Sequence, residues 1–132
     1  MNNSPRDSKI ILRELRASFE RQLALYTELR DSVRANMSKL ILSRGDAGVL
    51  MAGVDKKKKL IDQLDQERAG IAAHIEYWQE NGKRLASDSG AASVNEILTR
   101  IENVIKEFLT EEEKLKLYVE KIFKTSGGSV EQ

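Results

Sequence analysis

The sequence predicts an all-α protein: an antiparallel bundle of three long helices with coiled-coil-like heptad packing. Three observations support this fold class. Apolar residues recur every three or four positions through three long segments, and strong helix formers (Leu, Lys, Glu, Ala, Arg) dominate the composition. No segment alternates strictly between apolar and polar residues, as a half-exposed strand would. With 132 residues, the chain fits a single helical domain over 1–132.

The first helix is predicted over about 8–43. Its apolar residues advance from Leu12 to Leu40 by 28 residues in eight steps, or about 3.5 per step, which is a heptad seam. Asp7 or Ser8 can cap its start. The seam consists of Leu12, Leu15, Phe19, Leu23, Tyr26, Leu29, Val33, Met37 and Leu40.

The second helix is predicted over about 47–80. Gly45 suits the left-handed residue that follows a helix end, and Asp46 suits the next N-cap. Two positions of the second seam are charged, Lys57 and Arg68, so this stripe is a poor apolar surface. The seam consists of Leu50, Val54, Lys57, Ile61, Leu64, Arg68, Ile71, Ile75 and Trp78.

The third helix is predicted over about 93–124, after Gly82 ends the second helix. Ser93 and Glu96 have the spacing of a capping box at its start, and 125–132 is expected to be a disordered tail. A run of three glutamates interrupts the apolar stripe. The stripe consists of Val94, Ile97, Ile101, Ile105, Phe108, Leu115, Val119 and Ile122.

The inventory of reactive side chains argues against an enzyme and against a cofactor or metal. The chain has no cysteine and one histidine, His74, with Gly70 and Trp78 one helical turn away, so no helical ligand pair forms. No phosphate-binding loop or paired catalytic carboxylates stand out. The longest apolar run, Val49–Val54, is far below the roughly 20 residues of a membrane span. Because the first residues also lack a secretion signal, we expect a cytoplasmic protein.

Charge is distributed unevenly along a nearly neutral chain. Residues 1–44 contain nine Lys/Arg and five Asp/Glu, and residues 86–132 contain six and nine, so these segments should attract each other if they pack together. The net charge of +1 argues against strong nucleic-acid binding. The run Lys56–Lys59 is best interpreted as a solvated helix face. A nucleic-acid or acidic-lipid patch, and a docking site for an acidic partner or for the third helix, are the alternatives.

Few aromatic residues and polar positions in two seams predict a thin core. Trp78 is interpreted as a core residue near the bundle end rather than an interface anchor, whereas Tyr118 and Phe123 fit core packing and partner contact equally well. A thin core favours either oligomerisation, such as a homodimer, or a groove that receives a further amphipathic helix. Both interpretations predict an interaction protein.

Three segments in the middle of the chain form a recognisable pattern: Leu23–Leu29, Gly45–Leu50, and Lys58–Arg68, where a Lys-Leu-Ile segment is followed by Glu-Arg. With this pattern the chain resembles the FlgN family, the small cytoplasmic chaperones of bacterial flagellar export. It extends over about Leu12–Trp78, with a third helix of the appropriate length.

The resemblance implies a type III secretion chaperone without enzymatic activity. Its partners would be the amphipathic C-terminal helices of flagellar hook-associated proteins and the export gate, through which it would meet the membrane only indirectly. The third helix, 94–122, would bind the substrate by exchanging intramolecular packing for substrate packing. The implied contact residues are Ile97, Ile101, Ile105, Phe108, Leu115, Tyr118 and Val119. A structural coiled-coil subunit that oligomerises without a secreted client is the alternative.

Overall fold

A computed structural model describes the backbone of residues 5–86 and 88–131 and the side chains of 7–86 and 88–124. The described chain consists of three long helices, α1 (Pro5–Leu42), α2 (Ala47–Leu85) and α3 (Ser89–Glu131), and contains no strand. The helices pack against each other, so the predicted all-α bundle is confirmed.

The joint between α1 and α2 has the chemistry that the sequence predicts. Gly45 adopts φ of 88°, in the left-handed region, and its amide donates to the carbonyl oxygen of Leu40 at 2.9 Å. Asp46 is the N-cap of α2, and its carboxylate accepts from the amides of Gly48 at 2.7 Å and Val49 at 3.2 Å. These bonds satisfy amides that the helix itself leaves without partners.

The joint between α2 and α3 differs from the prediction. Gly82 lies inside α2, where space beside it is open and no left-handed turn forms, so α2 extends beyond the predicted end at residue 80. The carboxylate of Asp88 accepts from the amide of Gly90 at 2.7 Å, and α3 begins directly after it. Ser93, the predicted cap, lies within α3, and its carbonyl oxygen accepts from Arg16 at 3.0 Å.

The outer ends of the bundle are also longer than predicted. Helix α1 begins at Pro5, before the predicted start at Ser8, because a proline in the first turn removes only an amide that has no helical partner. The backbone of α3 is helical through Glu131, beyond the predicted end near Lys124. The side chains of the predicted tail, 125–132, lie outside the described residues.

Helix α1 packs against both other helices, whose backbones approach each other much less than either approaches α1. The start of α1 contacts the late part of α2, and the end of α1 contacts the start of α2. Ser8 bonds Tyr77 at 3.0 Å, and Asn36 bonds the carbonyl oxygen of Val49 at 2.9 Å. We refer to the end of the bundle that holds the α2–α3 joint as proximal and to the end that holds the α1–α2 joint as distal.

The contacts between α1 and α3 run in the same order along both helices. Arg16 bonds Ser93 near the proximal end, and Arg34 pairs with Glu111 at 3.2 Å towards the distal end. The expected attraction between the basic first segment and the acidic last segment is therefore realised in a direct ion pair.

The fully buried apolar residues concentrate at the proximal end. One cluster joins all three helices there, and a smaller one lies near the middle, between α1 and α2. In the described part of α3, no residue beyond Ile101 is fully buried. The proximal cluster contains Leu12, Leu15, Phe19, Ile71, Leu85, Val94, Ile97 and Ile101; the smaller one contains Leu29, Leu60 and Leu64.

Candidate helix-binding surface

The residues that the family resemblance implies for partner binding fall into two groups. Ile97 and Ile101 are only 2% and 6% exposed and belong to the proximal core, so in this conformation they are covered by the protein itself. The remaining five are half-buried and lie along the outer two thirds of α3. These are Ile105, Phe108, Leu115, Tyr118 and Val119.

Other apolar side chains of α3 are more exposed than any of the predicted contacts. Leu109, Leu117 and Phe123 are 58%, 55% and 45% exposed. The sequence pattern gave no role to Leu109 or Leu117, because both fall outside the heptad stripe, and it left Phe123 undecided between core and interface. Exposed leucines flanking a half-buried stripe widen the apolar surface of α3.

Helix α2 has four side chains spaced seven residues apart, and this spacing places them on one face of the helix. Val54 and Ile61 are 40% and 39% exposed, Ile75 is half-buried, and Arg68 is exposed between them. The facing row of α3 is Leu98, Ile105, Glu112 and Val119, also spaced by seven. We call the space between these two rows the α2–α3 groove.

Cavities lined from both helices and a direct bond show that these sides of α2 and α3 face each other. Val54 and Leu115 line one small cavity of about 20 Å³, with Val33 of α1. Nearby, the amine of Lys57 donates to the carboxylate of Glu112 at 3.0 Å. The groove is therefore bounded by α2 and α3, with α1 as its floor.

The groove deepens into a cleft of about 380 Å³ towards the proximal end. The floor comes from α1, where Gln22 is 5% exposed and donates to the hydroxyl of Ser18 at 3.2 Å. The walls are mainly apolar, with Arg68 as the one charged side chain. The cleft is lined by Leu15, Phe19, Gln22, Tyr26, Arg68, Ile75, Trp78, Gln79, Leu98 and Ile101.

The four lysines of the run Lys56–Lys59 lie in two environments, the groove and the solvent. Lys57 crosses the groove to Glu112, so it is only 29% exposed at its side chain, whereas Lys56, Lys58 and Lys59 are exposed. Three of the four lysines thus form the solvated face that the sequence favoured. The fourth docks on the third helix, as one alternative proposed.

Ion pairs hold the middle of α3 against α1. Arg30 donates to Glu107 at 2.6 Å, and the hydrogen bonds to Glu107 and Asp31 raise the pKa of Arg30 above its ordinary value. Together with the pair between Arg34 and Glu111, these contacts secure a stretch of α3 that has no fully buried apolar residue.

An ion pair also links α1 to α2 beside the groove. Arg21 donates to Glu67 at 2.8 Å, and this bond is the main reason that the pKa of Glu67 lies below its ordinary value. A hydrogen bond with Ser18 acts in the same direction, while burial opposes both. The pair fixes α2 on α1 and leaves the side of α2 that faces α3 free.

Sites of other kinds are not evident in the part of the chain described. His74 bonds Glu14 across α1 and α2, and no three His, Cys, Asp or Glu side chains of the described residues group as a metal site requires. Nor does any described helix contain a stretch long and apolar enough to cross a membrane. The groove is therefore the principal candidate site.

Comparison with known proteins identifies no relative. No protein family model matches the sequence, and neither a curated protein nor a solved structure matches it.

Proposed function

We propose that this protein is a non-enzymatic cytoplasmic chaperone that binds amphipathic C-terminal helices of flagellar hook-associated proteins and delivers them to the export apparatus. The observation that carries helix binding is the α2–α3 groove, where Val54 and Ile61 stay about 40% exposed opposite a half-buried stripe of α3. The client class rests on the resemblance of the middle of the chain to the FlgN family.

The arrangement proposed for the scaffold is an antiparallel bundle with heptad packing. The reverse order of contacts between α1 and α2 supports antiparallel neighbours, and the seven-residue rows of α2 and α3 support heptad geometry. A helix laid along the groove would then complete a four-helix arrangement. Its apolar face would cover side chains that the free protein leaves in water.

Binding and release both require a surface that is only moderately stabilised in the free protein. The half-buried stripe of α3 provides such a surface. Its side chains become more buried when a client helix binds, and they do not have to leave a tightly packed core first. Ile97 and Ile101 anchor α3 at the proximal end during the exchange. In this proposal they support the site, and Ile105, Phe108, Leu115, Tyr118 and Val119 contact the client.

Calorimetric titration tests the proposal. C-terminal segments of hook-associated proteins from the same genome should bind one to one and at micromolar affinity or tighter, and an unrelated amphipathic helix should bind much more weakly. Ile61→Asp should weaken binding at least about tenfold, since a carboxylate placed in an apolar contact loses its hydration. Ile10→Asp is the matched control, because Ile10 on α1 is 41% exposed and Ile61 is 39% exposed. Equal binding of the segments and the unrelated helix would refute the client assignment.

A second candidate function is a structural subunit that oligomerises without a client. Apolar side chains at the distal end favour it: Leu42, Met51 and Ile41 are 85%, 55% and 50% exposed. Sedimentation over a wide concentration range separates the two functions. A mass that rises with concentration supports the subunit, and a constant monomer mass supports the chaperone.

A further inference from the structure

Two charged residues interrupt the seam of α2, and they have different environments. Lys57 is paired with Glu112 of α3 at 3.0 Å. Arg68 is exposed, lines the proximal cleft, and has no ion pair or side-chain hydrogen bond with any residue that the structure describes. Among the residues that the structure describes, only one of the two seam charges therefore has a partner.

The surroundings of Arg68 are apolar on the side that faces the cleft. It shares the cleft with Ile75 and Trp78 of its own helix and with Leu98 across the groove. A guanidinium placed beside an apolar depression presents several hydrogen-bond donors in a planar fork, which suits a carboxylate. The cleft, about 380 Å³, has room for large apolar side chains next to that carboxylate.

We infer that the proximal cleft recognises an amphipathic helix that carries a large apolar side chain and, one turn away on the same edge, an Asp or Glu that pairs with Arg68. The inference rests on the proposed function and specifies the sequence of the helix that the groove selects. The apolar side chain fills the space against Trp78 and Ile75, and the carboxylate fixes the register of the helix. Selection follows from charge complementarity, because no acidic side chain of the described residues pairs with Arg68.

The test uses two synthetic amphipathic peptides of about 20 residues, a length that supports a stable bound helix. Both peptides have one phenylalanine in the apolar face. They differ at a single position one helical turn from it, which is glutamate in one peptide and lysine in the other. Trp78 is the single tryptophan and lines the cleft, so its emission reports occupancy directly.

The wild-type protein should bind the glutamate peptide about fivefold more tightly than the lysine peptide, which is the strength of a good partly exposed ion pair. Arg68→Glu should reverse this preference. Arg13→Glu is the matched control, because Arg13 is an exposed arginine of α1 outside the cleft and its replacement should leave the preference unchanged. Since Arg68 is exposed and has no partner among the described side chains, its variant should melt like the wild type.

The outcomes separate this inference from the proposed function. Binding of both peptides with equal affinity, in wild type and in Arg68→Glu, would overturn the inference and leave helix binding intact. Failure of both peptides to bind or to change the emission of Trp78 would overturn the inference, and calorimetry with the hook-associated segments would then test the proposed function separately. A change in emission with protein concentration alone, accompanied by a dimer mass, would assign the cleft to a second copy of the chain and overturn the inference.

Discussion

The amine of Lys57 in α2 donates to both carboxylate oxygens of Glu112 in α3, at 3.3 and 3.0 Å. This contact ties together the two helices whose backbones approach each other least. In the sequence, Lys57 breaks an apolar seam and Glu112 belongs to a run of glutamates that breaks another. The two interruptions face each other, so each provides the partner of the other.

A double-mutant cycle on Lys57→Met and Glu112→Gln should give a coupling free energy of about 0.5 kcal/mol. The value is modest because both side chains are 29% exposed, and solvent weakens the attraction. Urea unfolding of the wild type, both single variants and the double variant measures the coupling. Strict additivity would mean that the bond adds nothing to stability.

Gly53→Ala should destabilise the protein by about 1–3 kcal/mol although alanine favours helix. A Cβ at Gly53 would overlap the side chain of Asn36, which is 7% exposed and held by its bond to the carbonyl oxygen of Val49. Gly70→Ala is the matched control: nothing lies within 4 Å of its added Cβ, so it should stabilise by up to about 1 kcal/mol. Thermal unfolding of both variants compares them.

Asn36→Ala provides the second arm of that test. Truncating Asn36 removes the overlap, so Gly53→Ala should cost less in the Asn36→Ala background than in the wild type. The same cost in both backgrounds would contradict the close contact between α1 and α2 at this point.

The pair of Arg21 and Glu67 predicts a specific loss of stability in acid. Because the pKa of Glu67 is lowered on folding, its contribution is complete above the ordinary pKa of glutamate and is lost as the pH falls through the lower folded-state value. The contribution is at most about 0.5 kcal/mol, since Arg21 is 60% exposed at its side chain. The difference in melting temperature between wild type and Glu67→Gln should therefore shrink in acid. A difference independent of pH would contradict this prediction.

Hydrogen exchange should divide α3 into two parts. Amides of 91–101, beside Val94, Ile97 and Ile101, should be at least about tenfold better protected than those of 105–122, which lack fully buried neighbours on their own helix. Residue-resolved exchange by NMR measures both sets. Uniform protection along α3 would contradict the moderately stabilised stripe that client exchange requires.

The sequence predicts the helices and the first joint well, because periodicity and capping are local properties. It predicts the second joint poorly: Asp88 caps α3 in preference to Ser93, which instead bonds Arg16 of another helix. Spacing within one segment carries no information about such a long-range partner. Buried polar residues of α1 were missed for the same reason, since Ser18 and Gln22 are 0% and 5% exposed beneath α2 and α3.

The candidate site was predicted only in outline. The third helix does carry the half-buried stripe, but the stripe alone could not show that Ile97 and Ile101 are covered by α1 and α2. Nor could it show that the facing wall comes from Val54, Ile61 and Arg68 of α2. The charged residues in the second seam were the available signal, because a polar residue at an inward position indicates either a partner or an open face.

Cross-linking α2 to α3 tests most directly that a client helix lies in the α2–α3 groove. Val54→Cys and Leu115→Cys introduce the only two cysteines in a chain that has none, on opposite walls of one cavity. A short bis-maleimide links the two cysteines and gives the bridged variant. N-ethylmaleimide modifies each cysteine separately and gives the capped variant, which controls for the size of the added groups. We expect calorimetry to detect binding of hook-associated C-terminal segments to the capped variant, more weakly than to the wild type because Leu115 is a proposed contact, and no binding to the bridged variant. Equal binding to both would contradict the groove as the binding surface.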